Sequence, residues 1–343
     1  MATVSIKEVA RRARVSVGTV SNVLNGRATV AAATRRRVLD VIAELGYVRN
    51  DSARQLRAGR SRTLAMVALD LANPFFTDVM RGAEIAAEHG GVNVMVLNSG
   101  EDPQRERRHL DLLSQQRVLG VLITPVDETH DAHLDGLVER GIPVVLVDRG
   151  SSSFHRCSVA VDDVLGGRLA GDHLRGQGHH RIAFAGGPFS LRQVADRHAG
   201  LTAALGDGPP PRLVTTSNLS VAAGRNAGRE IADLPADERP SAVFCANDLI
   251  ALGVLQEMTT RGVRVPDDVA IVGYDDIDFA AAAAVPLSSV RQPREQLGRA
   301  ATQLLLEEVN EPDTHQHRHV VFRPELVVRR SSSPATPPTG TTM

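Results

Sequence analysis

The sequence SIKEVARRARVSVGTVSNVLNG at residues 5–26 contains the start and end signals of two short helices. Ser5 followed by Glu8 is a capping box, which favours a helix start. Ser16 is a second capping residue, and Asn25-Gly26 is typical of a helix end. A third helix is indicated by four apolar residues at helical spacing, Val38, Val41, Ile42 and Leu45. The spacing therefore predicts a small all-α domain with a helix-turn-helix braced by a third helix.

The charge of the chain is divided unevenly, although its 343 residues have a formal net charge of −1. Residues 1–62 contain 13 Lys and Arg against four Asp and Glu, a net charge of +9. Of the chain's 39 basic and 40 acidic residues, 26 and 36 remain for the rest, a net charge of −10. A basic terminal segment on an acidic body is typical of proteins that bind a polyanion.

The second predicted helix carries small, uncharged side chains in its N-terminal half. In a helix-turn-helix this helix lies in the major groove of DNA, where hydroxyl, amide and methyl groups contact phosphates and base edges. We therefore predict double-stranded DNA as a partner, contacted by Ser16, Val17, Gly18, Thr19, Ser21 and Asn22. The alternative is a small helical interaction domain with a solvated arginine face.

The body alternates short apolar runs with helix-length segments, a pattern typical of βαβ units and parallel sheets. The runs occupy residues 63–69, 92–97, 119–124, 142–147, 158–161, 181–186, 242–246 and 269–273. These are too many for one comfortable sheet, so we predict two similar α/β lobes. Ligands of such sheets bind beyond the strand C-termini. Five polar clusters lie there: Asp70–Phe76, Asp148–Arg149, Gly186–Arg197, Asn247–Asp248 and Tyr274–Asp276.

Several protein classes are disfavoured by what the sequence lacks. No apolar run reaches about 18 residues and no secretory signal is apparent, so we expect a cytoplasmic protein without membrane contact. Two cysteines, Cys157 and Cys245, cannot form a disulfide framework. No GxGxxG, P-loop or GxSxG motif occurs, so we predict neither an enzyme nor a cofactor. His315, His317 and His319 alternate as in a polar loop or exposed strand, and no metal site is predicted.

Two stretches of the N-terminal segment, IKEVARRARVSVGTVSNVLN (6–25) and TRRRVLDVIAELGYVRNDSARQLRAGRS (34–61), resemble the headpiece and hinge of LacI/GalR-family bacterial repressors. The resemblance continues through LANPFF (71–76), IPVVLVDR (142–149), GHHRIAFAGGP (178–188), FCANDLIALG (244–253) and VAIVGYDD (269–276). It implies a DNA-binding headpiece followed by a two-lobed α/β domain that is periplasmic-binding-protein-like.

The resemblance also assigns roles within the headpiece. Val17 and Gly18 match specificity-setting positions, and Asn25 matches a position that contacts DNA or supports the contact. Three residues depart from the family pattern: Arg14 stands where a turn glycine is common, Asn22 replaces a frequent Arg, and Ala31 replaces the usual Ser cap of the third helix.

The hinge is predicted in residues 49–62, which include ARQLRAGRS. A helix of about two turns is marginal alone, and its arginines repel one another until phosphates neutralise them. The resemblance implies that paired hinge helices enter the minor groove with Arg54 nearby, and that Leu56 wedges into a base step. A flexible basic linker, with Leu56 packed locally, is the alternative.

Six residues are predicted to bind an effector in the body. Phe75 and Phe76 offer aromatic surface, while carboxylate, guanidinium and amide groups can hydrogen-bond hydroxyls. The six match ligand-pocket positions of the resembled family: Phe75, Phe76, Asp148, Arg197, Asn247 and Asp275. Leu219 lies where relatives often carry an aromatic residue. Taken singly, each also has a structural interpretation as core, cap or solvated surface.

We therefore predict a homodimeric LacI-type repressor whose affinity for a pseudo-palindromic operator is lowered by a small sugar bound between the lobes. The alternatives are a corepressor-dependent regulator that senses a purine or other metabolite and, less favoured, a solute-binding protein or α/β enzyme. The predicted divisions are a headpiece at 1–48, the hinge at 49–62, an effector and dimerisation domain at 63–331 and a disordered tail at 332–343. The first lobe would comprise 62–161 and 292–320, and the second 162–291 and 321–331.

Overall fold

The computed structural model describes residues 4–26, 29–47, 61–126, 131–150 and 155–333. Contacts divide the chain into two units, Met1–Arg60 and Ser61–Met343, which we call the head and the body. No helix within the described ranges is long and apolar enough to cross a bilayer. Arg54 and Leu56, predicted to contact DNA, lie outside the described residues.

The head contains three helices, α1 (Ile6–Ala13), α2 (Val17–Leu24) and α3 (Ala32–Leu45). Ser5 caps α1, because its Oγ accepts a hydrogen bond from the Glu8 backbone N–H at 3.3 Å. Ala31 stands at the N-cap of α3 and provides no side-chain hydrogen bond, as the sequence predicts. Three valines with no exposed surface form the centre of the core, Val9, Val20 and Val38. The predicted helix-turn-helix is confirmed.

The body contains two six-stranded sheets, each built mostly of parallel strands. The first sheet contains β1 (Thr63–Ala68), β2 (Asn93–Asn98), β3 (Val121–Ile123), β4 (Val144–Val147), β5 (Ser158–Val161) and β11 (His319–Phe322). The second contains β6 (Ile182–Gly186), β7 (Arg212–Thr215), β8 (Ala242–Cys245), β9 (Ala270–Asp275), β10 (Ser288–Arg291) and β12 (Glu325–Val327). Their orders are β11-β5-β4-β3-β1-β2 and β12-β10-β9-β8-β6-β7, with β12 antiparallel to β10.

Helices cover both sheets and complete two lobes. The first lobe has α4 (Pro74–His89), α5 (Pro103–Gln116), α6 (Asp131–Glu139) and α12 (Arg294–Asn310). The second has α7 (Asp163–Gly176), α8 (Arg192–Leu205), α9 (Val221–Ala232), α10 (Asp248–Thr260) and α11 (Asp278–Ala282). Strands such as β3, β4, β8 and β9 are buried along their whole length, which explains their uninterrupted apolar runs. The predicted fold class is confirmed.

The chain passes between the lobes three times, after β5, after β10 and between β11 and β12. The predicted lobe boundary at 320/321 falls inside β11, which continues to Phe322. The predicted start of a disordered tail at 332 also needs correction, because Ser331 and Ser332 are buried. The Ser331 hydroxyl donates to the Ile271 carbonyl at 2.6 Å, so this segment is anchored to the second sheet.

Candidate functional site

The residues predicted to contact DNA lie on and beside α2. Ser16, Val17, Gly18 and Asn25 are exposed, whereas Thr19, Ser21 and Asn22 are half-buried. The Ser16 Oγ accepts a hydrogen bond from the Thr19 backbone N–H at 3.0 Å, and Asn25 Nδ2 donates to the Ser21 hydroxyl at 3.4 Å. Val20 and Val23 face the core. The helix therefore presents a small, uncharged surface that can approach another molecule closely.

The turn before α2 shows how the sequence departs from its family pattern. Arg14 has φ 54° and ψ 48°, the left-handed conformation that glycine adopts without strain. Its backbone N–H is bonded to the carbonyl groups at the end of α1, so the arginine caps that helix despite its side chain. The turn is retained at a local conformational cost of about 1 kcal/mol.

The six residues predicted to bind an effector line one cavity between the lobes. They are brought together from five segments at the strand C-termini: Phe75, Phe76, Asp148, Arg197, Asn247 and Asp275. The remaining lining residues are Leu69, Asn73, Leu191, Gln193, Val194 and Leu219. The cavity therefore has apolar walls and a few convergent polar groups, as expected of a small-molecule site.

Asp148 contributes the least satisfied polar group of the cavity. It follows β4 with φ 57°, a conformation uncommon for any residue other than glycine. Gln193 Nε2 donates to its backbone carbonyl at 2.8 Å and to its Oδ2 at 3.1 Å, while Oδ1 is buried without a hydrogen-bond partner among the described residues. Burial and repulsion by Asp163 raise the pKa of Asp148 well above its usual value. A ligand hydrogen-bond donor would satisfy the unpaired oxygen.

Asp275 joins the two lobes directly. Its Oδ2 accepts a hydrogen bond from Asn73 Nδ2 at 3.0 Å, and its Oδ1 accepts one from Gln292 Nε2 at 2.7 Å. Its φ of 103° is strained for a residue with a side chain. Burial raises the pKa of Asp275, although attraction to Arg197 acts in the opposite direction. The carboxyl group is thus already bonded, and a ligand must exchange with these partners to reach it.

Arg197 is held rigidly at the floor of the cavity and is only 3% exposed. Its Nε donates to Asp163 Oδ1 at 2.8 Å, its Nη1 donates to the Ala246 carbonyl at 2.8 Å, and its Cζ lies 3.7 Å from the centre of the Tyr274 ring. Burial disfavours its charge, yet attraction to Asp163 raises the pKa of Arg197 above its usual value. The interpretation of Arg197 as a solvated surface residue is therefore wrong.

The approach of Arg197 to Asp163 depends on close packing of α7 against α8. A Cβ added at Gly167 would lie 2.1 Å from the Arg197 carbonyl oxygen, and one added at Gly200 would lie 2.1 Å from the Val164 carbonyl oxygen. Both positions therefore exclude any side chain. A Cβ added at the neighbouring Gly166 would lie 2.3 Å from the Tyr274 hydroxyl oxygen, so β9 excludes a side chain there as well.

Asn247 and the two phenylalanines have structural roles as well as lining the cavity. Asn247 Oδ1 caps α10 through the Ile250 backbone N–H at 2.9 Å, and its Nδ2 donates to the Leu219 carbonyl at 3.1 Å. Phe75 and Phe76 are 1% and 4% exposed and pack edge to face, with ring centroids 5.0 Å apart. Neither the amide nor the rings are freely available in this conformation.

The cavity has a volume of only about 20 Å³. That volume holds roughly one water molecule, whereas small-molecule sites usually measure about 300–1,000 Å³. Direct bonds between the lobes, Asn73 to Asp275 and Gln193 to Asp148, fill the place of a ligand. Binding of a sugar-sized molecule therefore requires the lobes to separate.

A larger cavity of about 730 Å³ lies between α4, the β9–α11 turn and the start of α12. Its charged side chains are mostly paired with one another: Arg294 with Asp78 at 2.7 Å, and Asp276 with Arg291 at 2.7 Å and Arg329 at 2.6 Å. It lacks the apolar walls of the interlobe cavity. We therefore regard the smaller, enclosed cavity as the candidate effector site.

Three polar residues support the interlobe site through bonds that the sequence did not predict, although Asn73 and Gln193 lie within predicted polar clusters. Gln193 lies within the segment 186–197 that follows β6, so its position was indicated but its role was not. Asn73 precedes a proline and caps α4, and the same side chain also bonds Asp275. Asp163, at the start of α7, neutralises Arg197. Only the three-dimensional packing reveals these partnerships.

Comparison with known proteins assigns the chain to a family over nearly its full length. Residues 5–50 match the lacI family of bacterial regulatory proteins, and residues 171–332 match the periplasmic binding protein-like domain. The HTH-type transcriptional repressor PurR of Aliivibrio fischeri (strain MJ11) is 33% identical over 332 residues, which cover 95% of this chain and 98% of the relative.

Two solved structures extend this similarity to the fold. A complex of the transcriptional regulator CelR with cellobiose has a TM-score of 0.72 at 32% identity and covers 96% of this chain and 99% of its own. The lac repressor dimer bound to operator and the anti-inducer ONPF has a TM-score of 0.82 at 27% identity, with the same two coverages. The chain belongs to the lacI family of bacterial regulatory proteins and is a DNA-binding transcriptional repressor.

Proposed function

We propose that this repressor binds a small, uncharged carbohydrate between its lobes and that binding lowers its affinity for the operator. The observation that carries the proposal is the unpaired Oδ1 of Asp148, buried in a cavity with a second carboxyl group, Asp275. Hydroxyl groups both donate and accept hydrogen bonds, so a carbohydrate can pair with these carboxyl groups in either protonation state. The similarity to the cellobiose-bound CelR supports the same ligand class.

On the DNA side, we propose that α2 enters the major groove and that Ser16, Val17, Gly18, Thr19, Ser21, Asn22 and Asn25 face the operator. A homodimer would read a pseudo-palindromic site with its two heads. Val17 is 38% exposed, which leaves its methyl groups free to contact a thymine methyl.

Replacing Val17 tests this DNA contact. We expect Val17→Ala to weaken binding to the preferred operator by about 1–2 kcal/mol, roughly 5–30-fold, because two methyl groups leave the contact, with little change in non-specific binding. Fluorescence anisotropy with operator and scrambled duplexes, each over a range of salt concentrations, measures both. An equal loss on the two duplexes would remove Val17 from sequence recognition.

The switch can operate through the bonds that hold the lobes together. A ligand that displaces Asn73 from Asp275 and Gln193 from Asp148 favours one lobe arrangement over another. The hinge at 49–62, including Arg54 and Leu56, would then order or melt on DNA in response. A coupling of about 1–3 kcal/mol between the two sites changes operator affinity by roughly 5–150-fold.

The effector part is tested with Asp148→Asn and the exposed control Asp267→Asn. Operator is first selected from genomic fragments, and a panel of sugars and purine bases is then titrated against the complex and against the free protein by calorimetry. We expect a sugar to bind and release the operator. Asp148→Asn should weaken sugar binding by about 1–3 kcal/mol, because an amide donor then faces the ligand hydroxyl, and should leave sugar-free operator affinity unchanged.

A purine or another metabolite that acts as corepressor is the second candidate, favoured by the full-length similarity to PurR repressors. The titrations separate the two by the direction of the effect: an inducer releases the operator and a corepressor tightens it. Unchanged ligand affinity in Asp148→Asn would show that the interlobe cavity is misassigned. Failure to select any sequence would remove the DNA-binding half of the proposal instead.

A further inference from the structure

Four side chains with metal-ligating atoms converge at the β11 edge of the first sheet, outside the interlobe cavity. Cys157 immediately precedes β5, Glu308 lies near the end of α12, and His315 and His317 lie in the segment that leads into β11. Each of the four residues offers one ligand atom, and these four atoms all lie within 4.8 Å of one another. Residues distant in sequence thus place one sulfur, two imidazole nitrogens and one carboxylate oxygen around a common point.

The distances within this cluster approach those of a tetrahedral site. Cys157 Sγ lies 3.2 Å from His315 Nε2 and 3.9 Å from His317 Nδ1. Glu308 Oε2 lies 3.9 Å from each of the same two nitrogens. Zinc bond lengths of about 2.0–2.3 Å imply tetrahedral ligand atoms roughly 3.3–3.8 Å apart. Small side-chain rotations therefore suffice to bring all four atoms to bonding distance.

The burial of the cluster matches a structural site. Cys157 is fully buried, and the side chains of His315 and Glu308 are 5% and 15% exposed. Glu308 Oε2 is buried and accepts no hydrogen bond from any residue in the described ranges. The Arg318 backbone N–H donates to Cys157 Sγ at 3.3 Å, an outer contact of the kind that orients metal-bound thiolates.

His319, the third histidine of the alternating series, does not join the cluster. Its Nδ1 lies 2.8 Å from the Ser158 hydroxyl on the neighbouring strand. The three alternating histidines therefore differ in their contacts: His315 and His317 belong to the cluster with a cysteine and a glutamate, whereas His319 bonds a serine. No sequence motif links these four residues, since Cys157 and Glu308 lie far apart in the chain.

We propose that Cys157, Glu308, His315 and His317 bind one Zn²⁺ ion, which fastens the segment between α12 and β11 to the start of β5. Thiolate and imidazole ligands select zinc over magnesium or calcium, and four protein ligands leave no open position for catalysis. The site is thus a structural clamp on the first lobe. It is independent of the effector proposed for the interlobe cavity.

The competing interpretation is a metal-free cluster held by hydrogen bonds of the thiol and imidazoles. Burial raises the pKa of Glu308 to about 7 and also raises the pKa of the Cys157 thiol. A cluster whose carboxyl and thiol groups keep their protons would not need an ion to balance their charge. The two interpretations differ in whether the purified full chain retains zinc.

The experiment loads the full-length protein with ZnCl₂, removes free metal by gel filtration and measures bound zinc by plasma mass spectrometry. We expect one equivalent in the parent protein, and loss of it in Cys157→Ser and His315→Ala. The controls Cys245→Ala and His180→Ala remove a thiol and an imidazole elsewhere and should retain zinc. His317→Ala, at the more exposed ligand, provides a further variant if the others fold poorly.

Cobalt substitution and melting curves give independent readouts. Co²⁺ should produce a thiolate-to-cobalt charge-transfer band in the parent and in His180→Ala but not in Cys157→Ser. Zinc, but not magnesium or calcium, should raise the melting temperature of the parent, because an ion that binds only the folded state stabilises it. No zinc retained by the parent, or equal retention by ligand and control variants, would overturn the proposal.

Discussion

The candidate contact groups of the head and those of the interlobe cavity differ in exposure, in charge and in hydrogen bonding. On α2 they are exposed or half-buried and uncharged, and some are bonded to near neighbours, as Ser16 is to Thr19. In the cavity they are buried, three of the six are ionisable, and two carboxyl groups are bonded across the lobes, Asp275 to Asn73 and Asp148 to Gln193. The groups on α2 are accessible in this conformation, whereas those in the cavity must first exchange internal bonds for ligand bonds.

This contrast indicates that ligand-driven conformational change originates in the body. Polar groups that are buried and paired have only a few partner arrangements, so a ligand that replaces one partner shifts the whole lobe arrangement. Exposed groups on a short helix supply affinity and selectivity without such coupling.

The largest expected effect is on the stability of the body. Arg197→Ala leaves Asp163 buried without its partner, and breaking a buried pair in this way costs about 3–5 kcal/mol. The matched variant Arg192→Ala, on the same helix, removes an exposed pair with Asp196 and should cost about 0.5 kcal/mol or less. Chemical denaturation gives the unfolding free energies of both.

Hydrogen–deuterium exchange with peptide resolution shows where the loss occurs. In Arg197→Ala, peptides of α7 and α8 should exchange faster, while those of α1 to α3 should exchange as in the parent. Similar losses for the two arginine variants would mean that burial of Arg197 contributes little, and the contrast between the cavity and the head would be weakened.

A change in pH should have an intermediate effect on the unfolding free energy of the body. Burial raises the pKa of Asp148 in the folded body, whereas in the unfolded chain it returns to about 4. Between these two values the folded state holds a proton that the unfolded chain has released. The unfolding free energy contributed by this group therefore falls as pH rises above about 4, by at most about 1.4 kcal/mol per pH unit.

Asp148→Asn removes this titration, so the body of the variant should lose less stability between mild acid and neutral pH than the parent body. The head shows the opposite sign, because a hydrogen bond from Arg11 lowers the pKa of Glu8, and any benefit of that exposed pair is lost as pH falls. Denaturation curves at several pH values measure the slopes. Parallel curves for parent and variant would show that Asp148 titrates normally.

The smallest effect concerns the head alone. Ala31→Ser restores a hydroxyl at the uncapped N-terminus of α3 and should stabilise the head by about 1 kcal/mol. Exchange rates of α3 peptides should fall, with no change in the body. Ala32→Ser, one position inside the helix, is the control and should give no gain. A gain from both variants would point to a general solubility effect.

Sequence patterns predicted the strands that are buried along their whole length, because burial on both faces demands uninterrupted apolar runs. They did not predict β7, β10, β11 and β12, which are short and partly polar. Strand β10 reads SSVR; its Ser288 bonds the segment 329–331 and its Ser289 donates to Asp248 instead of packing as an apolar group. The six cavity residues were predicted because they lie at or near the C-terminal ends of strands and match ligand-pocket positions of the resembled family. Their bonding was not, since Gln193, Asn73 and Asp163 become partners only when helices pack.

The order in which the chain supplies the first lobe has a consequence for its folding during synthesis. Strand β11 and helix α12 belong to that lobe, yet both are translated after the whole set β6 to β10 of the second lobe. Until then β5 has an unpaired edge on the ribosome, open to wrong strand partners. The nascent first lobe must therefore wait for the second, and truncated chains that end before residue 319 should aggregate.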